Sequence, residues 1–511
     1  MYSQVTTGAI RGLDCQLAKV EVDVSSGLPG FEMVGLLNHE VKEARERVKV
    51  ALKNSDIDIP AKHITVSISP ADMRKEGALY DLPVAIGVLI SLGMIPQEYV
   101  ADTLIIGELG LNGEVRAVKG VLPIVKHGAN TALKRCIVPQ KNVREASIVE
   151  GIEIVGVSSL METIEFLCLG EEGKREKISK LKPDPMQEDQ LYDIDFSEIN
   201  GQDMVKRAVE IAASGFHHLL MVGPPGSGKT MVAKRIPTIL PTLTKEEMIE
   251  VSTIYSVAGL LDEKESLIFK RPFLDPHHTI SEQALAGGGR IPKPGVISLS
   301  HRGVLFLDEL PEFKRTALEI LRQPLEDKRI HIARTHGSYI YPADFILVAA
   351  LNPCPCGYFP DRNKCTCSEA EVKKYLNRIS GPILDRIDLA VEAPRVRYEQ
   401  LSSDSANRSS REMKEKVMQA RALQEERYAK TRYQFNAQLS SNDIKKYCQM
   451  SLDASRLAKQ IFEHMELSAR AYHKMIKVAR TIADLDGQDK ILEHHISEAV
   501  GYRLQDKYWK N

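Results

Sequence analysis

Gly223-Pro224-Pro225-Gly226-Ser227-Gly228-Lys229-Thr230 follows an apolar run, His218–Val222, and opens a stretch of helix formers, Met231–Arg235. Gly223, Gly226 and Gly228 let the chain curl so that successive amides face inward, where a phosphate lodges. Lys229 then sets a positive charge against the β- and γ-phosphates of a nucleoside triphosphate such as ATP. The Thr230 hydroxyl is placed to ligand Mg²⁺. Cleaving the terminal phosphate needs acids, and Gly303-Val-Leu-Phe-Leu-Asp308-Glu309 supplies two at the end of a buried run. Open α/β sheets hold their ligands at such strand ends. There Asp308 would hold Mg²⁺ through water, and Glu309 would polarise the attacking water. Phe345–Leu351 is a further apolar strand ending at Asn352, whose amide either orients that water or simply forms a turn before Pro353.

Two more clusters carry chemistry. Of eight cysteines, Cys15, Cys136, Cys168 and Cys448 stand alone and read as small core residues. Cys354, Cys356, Cys365 and Cys367 form two close pairs, which in a reducing compartment points to metal before disulfide. Four thiolates suit a structural, tetrahedral Zn²⁺; free thiols or a redox pair are the alternatives. Further on, Ile330 and Ile332 alternate with polar residues, and His336-Gly337-Ser338 reads as a tight turn, giving a β-hairpin. Its Lys328, Arg329, Arg334 and His336 would contact nucleic-acid phosphates, or else simply face solvent.

Elements positioning these groups fall into three blocks. Residues 1–168 alternate β-rich runs (Ala18–Val24, Ile64–Ser69, Thr103–Leu109) with amphipathic stretches (Glu40–Asn54, Leu82–Leu92), an α/β domain. A linker is expected over 169–194, where 171–190 is charged, holds two prolines and lacks periodicity. Strands and helices alternate around the phosphate motifs over 195–394, as a parallel-sheet nucleotide domain requires. Residues 395–511 are helical in pattern, with helices expected at Asp443–Gln449, Asp453–Glu466, Ala469–Leu485 and His494–Lys507 and a loop at Ser402–Ser410.

At 511 residues, 43% hydrophobic and 27% charged, the chain has core material for several domains. A net charge of −1 gives no global attraction to nucleic acid or anionic membrane, so any DNA contact must be local. No signal peptide is expected in Met1–Gly12, and no apolar run is long enough to span a bilayer, which makes the cytoplasm the expected compartment.

With its phosphate loop, acid pair and Asn352 in this order, the chain resembles AAA+ ATPases. Asp195-Phe-Ser-Glu-Ile-Asn-Gly-Gln202 is similar to the segment that closes over adenine. Pro382-Ile-Leu-Asp-Arg386-Ile-Asp388 is similar to the arginine-finger motif, with Ile387 where the family has Phe, and Leu467-Ser-Ala-Arg470 to the start of the sensor-2 helix. An arginine finger acting in trans implies an oligomer, most simply a hexamer. Arg271-Pro-Phe-Leu-Asp-Pro-His277-His278-Thr279, Gly287-Gly288-Gly289 and Pro294-Gly295 resemble the magnesium-chelatase-like branch. Gly27-Leu-Pro-Gly30, Lys75–Gly87 and Gly107–Val115 resemble the Lon protease domain and the similar domain of RadA. The stretch where a Lon nucleophile falls reads Ala78-Leu79-Tyr80-Asp81 and its lysine position falls near Leu122, so peptidase activity is not expected. The whole order resembles the ComM/YifB group. That resemblance implies a Lon-like α/β domain, an AAA+ parallel-sheet core and a helical C-terminal lid. It also implies a hexameric DNA motor promoting branch migration in natural transformation. A magnesium-chelatase-type motor subunit and a protein-remodelling ATPase are the alternatives.

Overall fold

The computed structural model describes residues 1–71, 73, 75–178, 192–261, 267–289, 292–334, 337–396, 398, 407–503 and 509. They divide into two compact units, the first comprising Met1–Pro185, Lys245–Ile268 and Ala333–Tyr341, the second the remainder.

The first unit is built on strands β1 (Tyr2–Arg11), β2 (Asp14–Ser25), β3 (Gly30–Val34), β4 (His63–Ser69), β5 (Thr103–Ile105), β6 (Arg135–Pro139) and β7 (Glu153–Val157), in the order β3-β4-β2-β1-β5-β6-β7. β1, β2 and β4 pair antiparallel and the rest parallel. Val20, Val22 and Val24 of β2 alternate inward, the period-2 mark of a half-covered strand. Helix Asp81–Ser91 is buried along its whole length. It crosses so close to β2 that a Cβ on Gly87 would lie 2.7 Å from Val22 Cγ2. Helix His39–Asn54 buries Val41, Ala44, Val48, Ala51 and Leu52, a stripe at helical spacing.

The second unit contains β8 (Leu219–Val222), β9 (Phe273–Leu274), β10 (Val304–Leu307), the start of β11 (Arg329–Arg334), β13 (Ile346–Leu351) and β14 (Leu389–Glu392), and β11 forms a two-stranded ribbon with β12 (Gly337–Pro342). Part of the ribbon, Ala333–Tyr341, groups with the first unit. The five-stranded sheet runs β9-β10-β13-β8-β14, every pair parallel. β8, β10 and β13 are wholly buried, as unbroken apolar strands covered on both faces must be. Their cover includes helices Asp203–Gly215, Lys229–Ile239, Ser410–Tyr428 and Ala469–Leu485.

Several expectations are corrected. Tyr2–Arg11, which is not among the expected β-rich runs, is an inner strand whose Ser3 and Thr7 are buried with Val5 and Ala9. The run at Thr103–Leu109 breaks at Gly107, where a Cβ would meet Val115 at 3.0 Å and Leu82 at 3.1 Å. Within the expected linker, Glu171–Lys177 is a helix. Arg135 pairs with Glu171, and Lys174 is buried over the Tyr99 and Phe166 rings; residues 179–191 lie outside the described set. Of the expected loop at Ser402–Ser410, residues 401–406 are also outside it. Ser409 caps helix Ser410–Tyr428 through a capping box with Glu412. Among the described residues the last helix is Glu493–Gly501, and residues 504–507 of the expected His494–Lys507 lie outside the described set. Gly337 and Ser338 belong to a strand and not to the turn; His336 lies outside the described residues.

Candidate nucleotide site and cysteine cluster

Parallel strands point all their C-terminal ends to one edge, and the phosphate motifs collect there. Gly226 (φ +75°) and Gly228 (φ +85°) take the left-handed backbone that the loop requires. A Cβ on Gly223 would lie 2.1 Å from the Ala393 carbonyl oxygen. Lys229, only 8% exposed, donates to the carbonyls of Gly223 (2.8 Å) and Pro224 (3.0 Å) and to Asn352 Oδ1 (3.3 Å). Burial holds its ammonium below the ordinary value, while Asp308 and Glu309 oppose that shift. Thr230 Oγ1 donates to Asp308 Oδ2 at 2.6 Å, bringing together two hard oxygens of the kind Mg²⁺ takes. Asp308 Oδ1 accepts the Glu309 amide at 2.9 Å. Glu309 itself has φ +50°, a left-handed conformation that costs a side-chain-bearing residue energy.

Gln202 spans two neighbours of this loop. Its Nε2 donates to the carbonyls of Ser227 (2.9 Å) and Pro394 (2.6 Å), and its buried Oε1 has no hydrogen-bond partner among the described residues. The same residue lines a cavity of about 420 Å³ with Met204, Val391, Pro394 and Tyr502. That size and mixed lining suit a small aromatic ligand with a donor for the orphaned oxygen.

Arg386 and Arg470 lie elsewhere. β14 is paired in register with β8, Leu389 beside Leu219 and Glu392 beside Val222. The phosphate loop leaves the C-terminal end of β8, whereas Arg386 precedes the N-terminal end of β14. About 13 Å of strand therefore separates them. Arg386 Nη2 meets Glu326 Oε1 at 2.7 Å and Arg470 Nη2 meets the same oxygen at 2.5 Å. Both line a cleft of about 400 Å³ with Lys328, Asp388, Lys474 and Lys477. Burial drops the Lys474 ammonium to about 8 against the pull of Asp388. Burial likewise works against the Asp388 carboxylate, yet Lys474 and the adjacent histidines hold it far below its ordinary range.

The cysteine loop follows Asn352 and packs on the phosphate loop. A Cβ on Gly357 would come 2.3 Å from the Pro225 ring. Sulfur atoms of Cys354, Cys356, Cys365 and Cys367 all lie within 4.8 Å of one another. Measured pairs are Cys354–Cys356 at 3.3 Å, Cys354–Cys365 at 3.8 Å and Cys356–Cys365 at 3.6 Å. Tetrahedral Zn–S bonds of about 2.3 Å put ligands about 3.8 Å apart, so the quartet fits that ion. Amides of Gly357 and Phe359 donate to Cys354 Sγ, and the Tyr358 amide lowers the Cys356 thiol to about 6, whereas burial and the neighbouring thiols raise Cys365 and Cys367. The amide donors favour thiolates at Cys354 and Cys356. A second group, Asp486, His494 and His495, fits a metal poorly. His495 Nδ1 accepts the Leu492 amide, leaving Nε2 protonated and unable to ligate.

On the ribbon, Ile330 and Ile332 are buried while Arg329 and Arg334 are exposed. Lys328 is anchored by Asp344 at 2.7 Å and lies over the Phe216 ring. Sequence reasoning missed Glu326, which no motif marks, and the contact of His278 Nδ1 with Glu309 Oε2 at 3.3 Å. His278 stood inside a recognised family motif, but its partner lies on another strand end.

Fold and loop together define a P-loop nucleotide-binding domain of the magnesium-chelatase-like AAA+ class. Family models match along the chain: "Magnesium chelatase, subunit ChlI" at 195–401, "Subunit ChlI of Mg-chelatase" at 20–142 and "Magnesium chelatase, subunit ChlI C-terminal" at 407–503. The chain is 40% identical to competence protein ComM of Haemophilus influenzae, covering 98% of this chain and 97% of that one. It is 41% identical to YifB of Escherichia coli K12, over 99% and 97%. Similarity to the magnesium-chelatase 67 kDa subunit of Chlorobaculum parvum is 27% over 31% of this chain and 23% of that one. The chain belongs to the ComM/YifB family of magnesium-chelatase-like AAA+ proteins. Among the described residues no helix is long and apolar enough to cross a membrane.

Proposed function

We propose that the chain is a ring-forming ATPase that uses hydrolysis to move along DNA and drive branch migration. The observation that carries the reading is the convergence of Lys229, Thr230, Asp308, Glu309 and Asn352 at one sheet edge. The cavity beside Gln202 takes the adenine, and Lys229 exchanges its carbonyl acceptors for phosphate oxygens. Thr230 and Asp308 would hold Mg²⁺, which would supply charge neutralisation at the phosphates. Glu309 takes the proton of the attacking water, and Asn352 orients that water. Arg386 and Arg470 cannot reach this centre across their own sheet, so they serve the γ-phosphate of an adjacent copy, most simply in a hexamer. Transition-state charge then falls on guanidinium groups that a single chain does not supply. The four cysteines would hold Zn²⁺, which would brace the loop that packs on Pro225.

DNA is the substrate favoured by the exposed Arg329 and Arg334 of the ribbon and by similarity over 98% of the chain to a protein named for competence. Repeated around a ring, these cations give a positive lining to a chain of near-zero net charge. The test is ATP hydrolysis and branch migration by purified protein. Hydrolysis should rise with added DNA, and joint-molecule migration should require ATP. The family descriptions favour a second reading, a magnesium-chelatase-type motor subunit. It would be indicated by stimulation from porphyrin-binding partners instead of DNA.

A further inference from the structure

We infer that His278 is a positioning residue that aims the Glu309 carboxylate during ATP hydrolysis; the inference rests on Glu309 serving as the base. β9 and β10 are parallel neighbours, Phe273 beside Val304 and Leu274 beside Leu305. The segments that follow them therefore leave from the same sheet edge. His278 comes shortly after β9, Glu309 shortly after β10, and His278 Nδ1 lies 3.3 Å from Glu309 Oε2.

The imidazole is the fixed member of this pair. Its ring lies 4.0 Å from that of His277 and edge-on to Phe313 at 6.4 Å and 76°, with Phe313 itself buried. His277 in turn is tied to the Thr279 hydroxyl at 2.9 Å. The Glu309 side chain is 54% exposed and springs from a strained backbone, whereas His278 is 30% exposed. The 3.3 Å approach is an ion-pair contact, and an ionised carboxylate only accepts, so a small turn of the exposed Glu309 side chain would let an Nδ1–H donate to Oε2. Such a bond would fix the carboxylate plane and leave Oε1 to receive the proton from water. General-base catalysis demands this alignment, and small misplacements are costly. An exposed ion pair would contribute little to stability, so the geometry is spent on direction rather than on folding.

The test uses full-length protein, steady-state ATP hydrolysis with DNA, and the affinity of a fluorescent ATP analogue. His278→Ala should lower kcat about ten- to a hundredfold while KM and analogue affinity stay within about twofold. His278→Asn places an amide N–H near the Nδ1 position and should recover most of the rate. His278→Gln places it near Nε2 and should not. A His278→Ala/Glu309→Gln double variant should be no slower than Glu309→Gln alone. Full rate in His278→Ala, additive loss in the double variant, or Asn and Gln variants of equal rate would overturn the inference. If His278→Ala does not fold, the contrast between Asn and Gln decides. Normal turnover by Glu309→Gln would instead reject Glu309 as the base, an outcome distinct from a slow Glu309→Gln beside a fully active His278→Ala.

Discussion

The two edges of the five-stranded sheet differ in what they can finish. At the C-terminal edge Lys229 meets Asn352 at 3.3 Å and Thr230 meets Asp308 at 2.6 Å, the groups that in our account hold a triphosphate. At the N-terminal edge two arginines, Arg386 and Arg470, share one oxygen of Glu326. A parallel sheet cannot bring those edges together, because strand length fixes their separation. Grip and transition-state stabilisation are thus divided, and in our account a neighbouring copy reunites them.

The largest effects should come from breaking the first edge. Lys229→Ala should abolish retention of labelled ATP. Glu309→Gln should retain ATP yet release phosphate at least about a hundredfold more slowly. Next comes the second edge. Arg386→Ala should keep nucleotide affinity and lose turnover by about a thousandfold, with Arg470→Ala the milder of the two. Equal loss of binding and turnover in Arg386→Ala would erase the contrast between the edges.

Two predictions sharpen it further. Purified protein should carry one zinc per chain, and Cys365→Ser should lose it, with a lower Tm and weaker ATP affinity because the loop braces Pro225. Asp388, held far below the ordinary carboxylate value, contributes stability above that value and loses it as pH falls. Asp388→Asn should therefore lower Tm at neutral pH, and its deficit should shrink below about pH 4. The smallest effect belongs to the ribbon. Arg329→Ala should weaken DNA stimulation and reduce the salt slope by about one unit, with basal hydrolysis unchanged.

Local chemistry was legible in the sequence wherever the motif carries its own geometry. Glycines at 226 and 228, the acids after an apolar strand and the clustered cysteines all state their neighbours within a few residues. So does the Ser409–Glu412 capping box, which could have marked helix Ser410–Tyr428 in advance. Glu326 and His278 act through partners that are distant in sequence, and only strand order brings them together. Tyr2–Arg11 escaped notice for a related reason. It is an inner strand whose buried Ser3 and Thr7 break the apolar signal, and Ser3 finds its acceptor at Gly87, far along the chain. Residue type reveals what a group can do; topology decides which groups it does it with.

The most direct test mixes two inactive proteins, Lys229→Ala, which keeps both arginines but cannot hold ATP, and Arg386→Ala, which holds ATP but lacks the finger. If the centre is shared between copies, DNA-stimulated phosphate release should reappear on mixing and peak near equal amounts. Mixtures that stay as inactive as either parent, under conditions where the two co-assemble, would contradict the account.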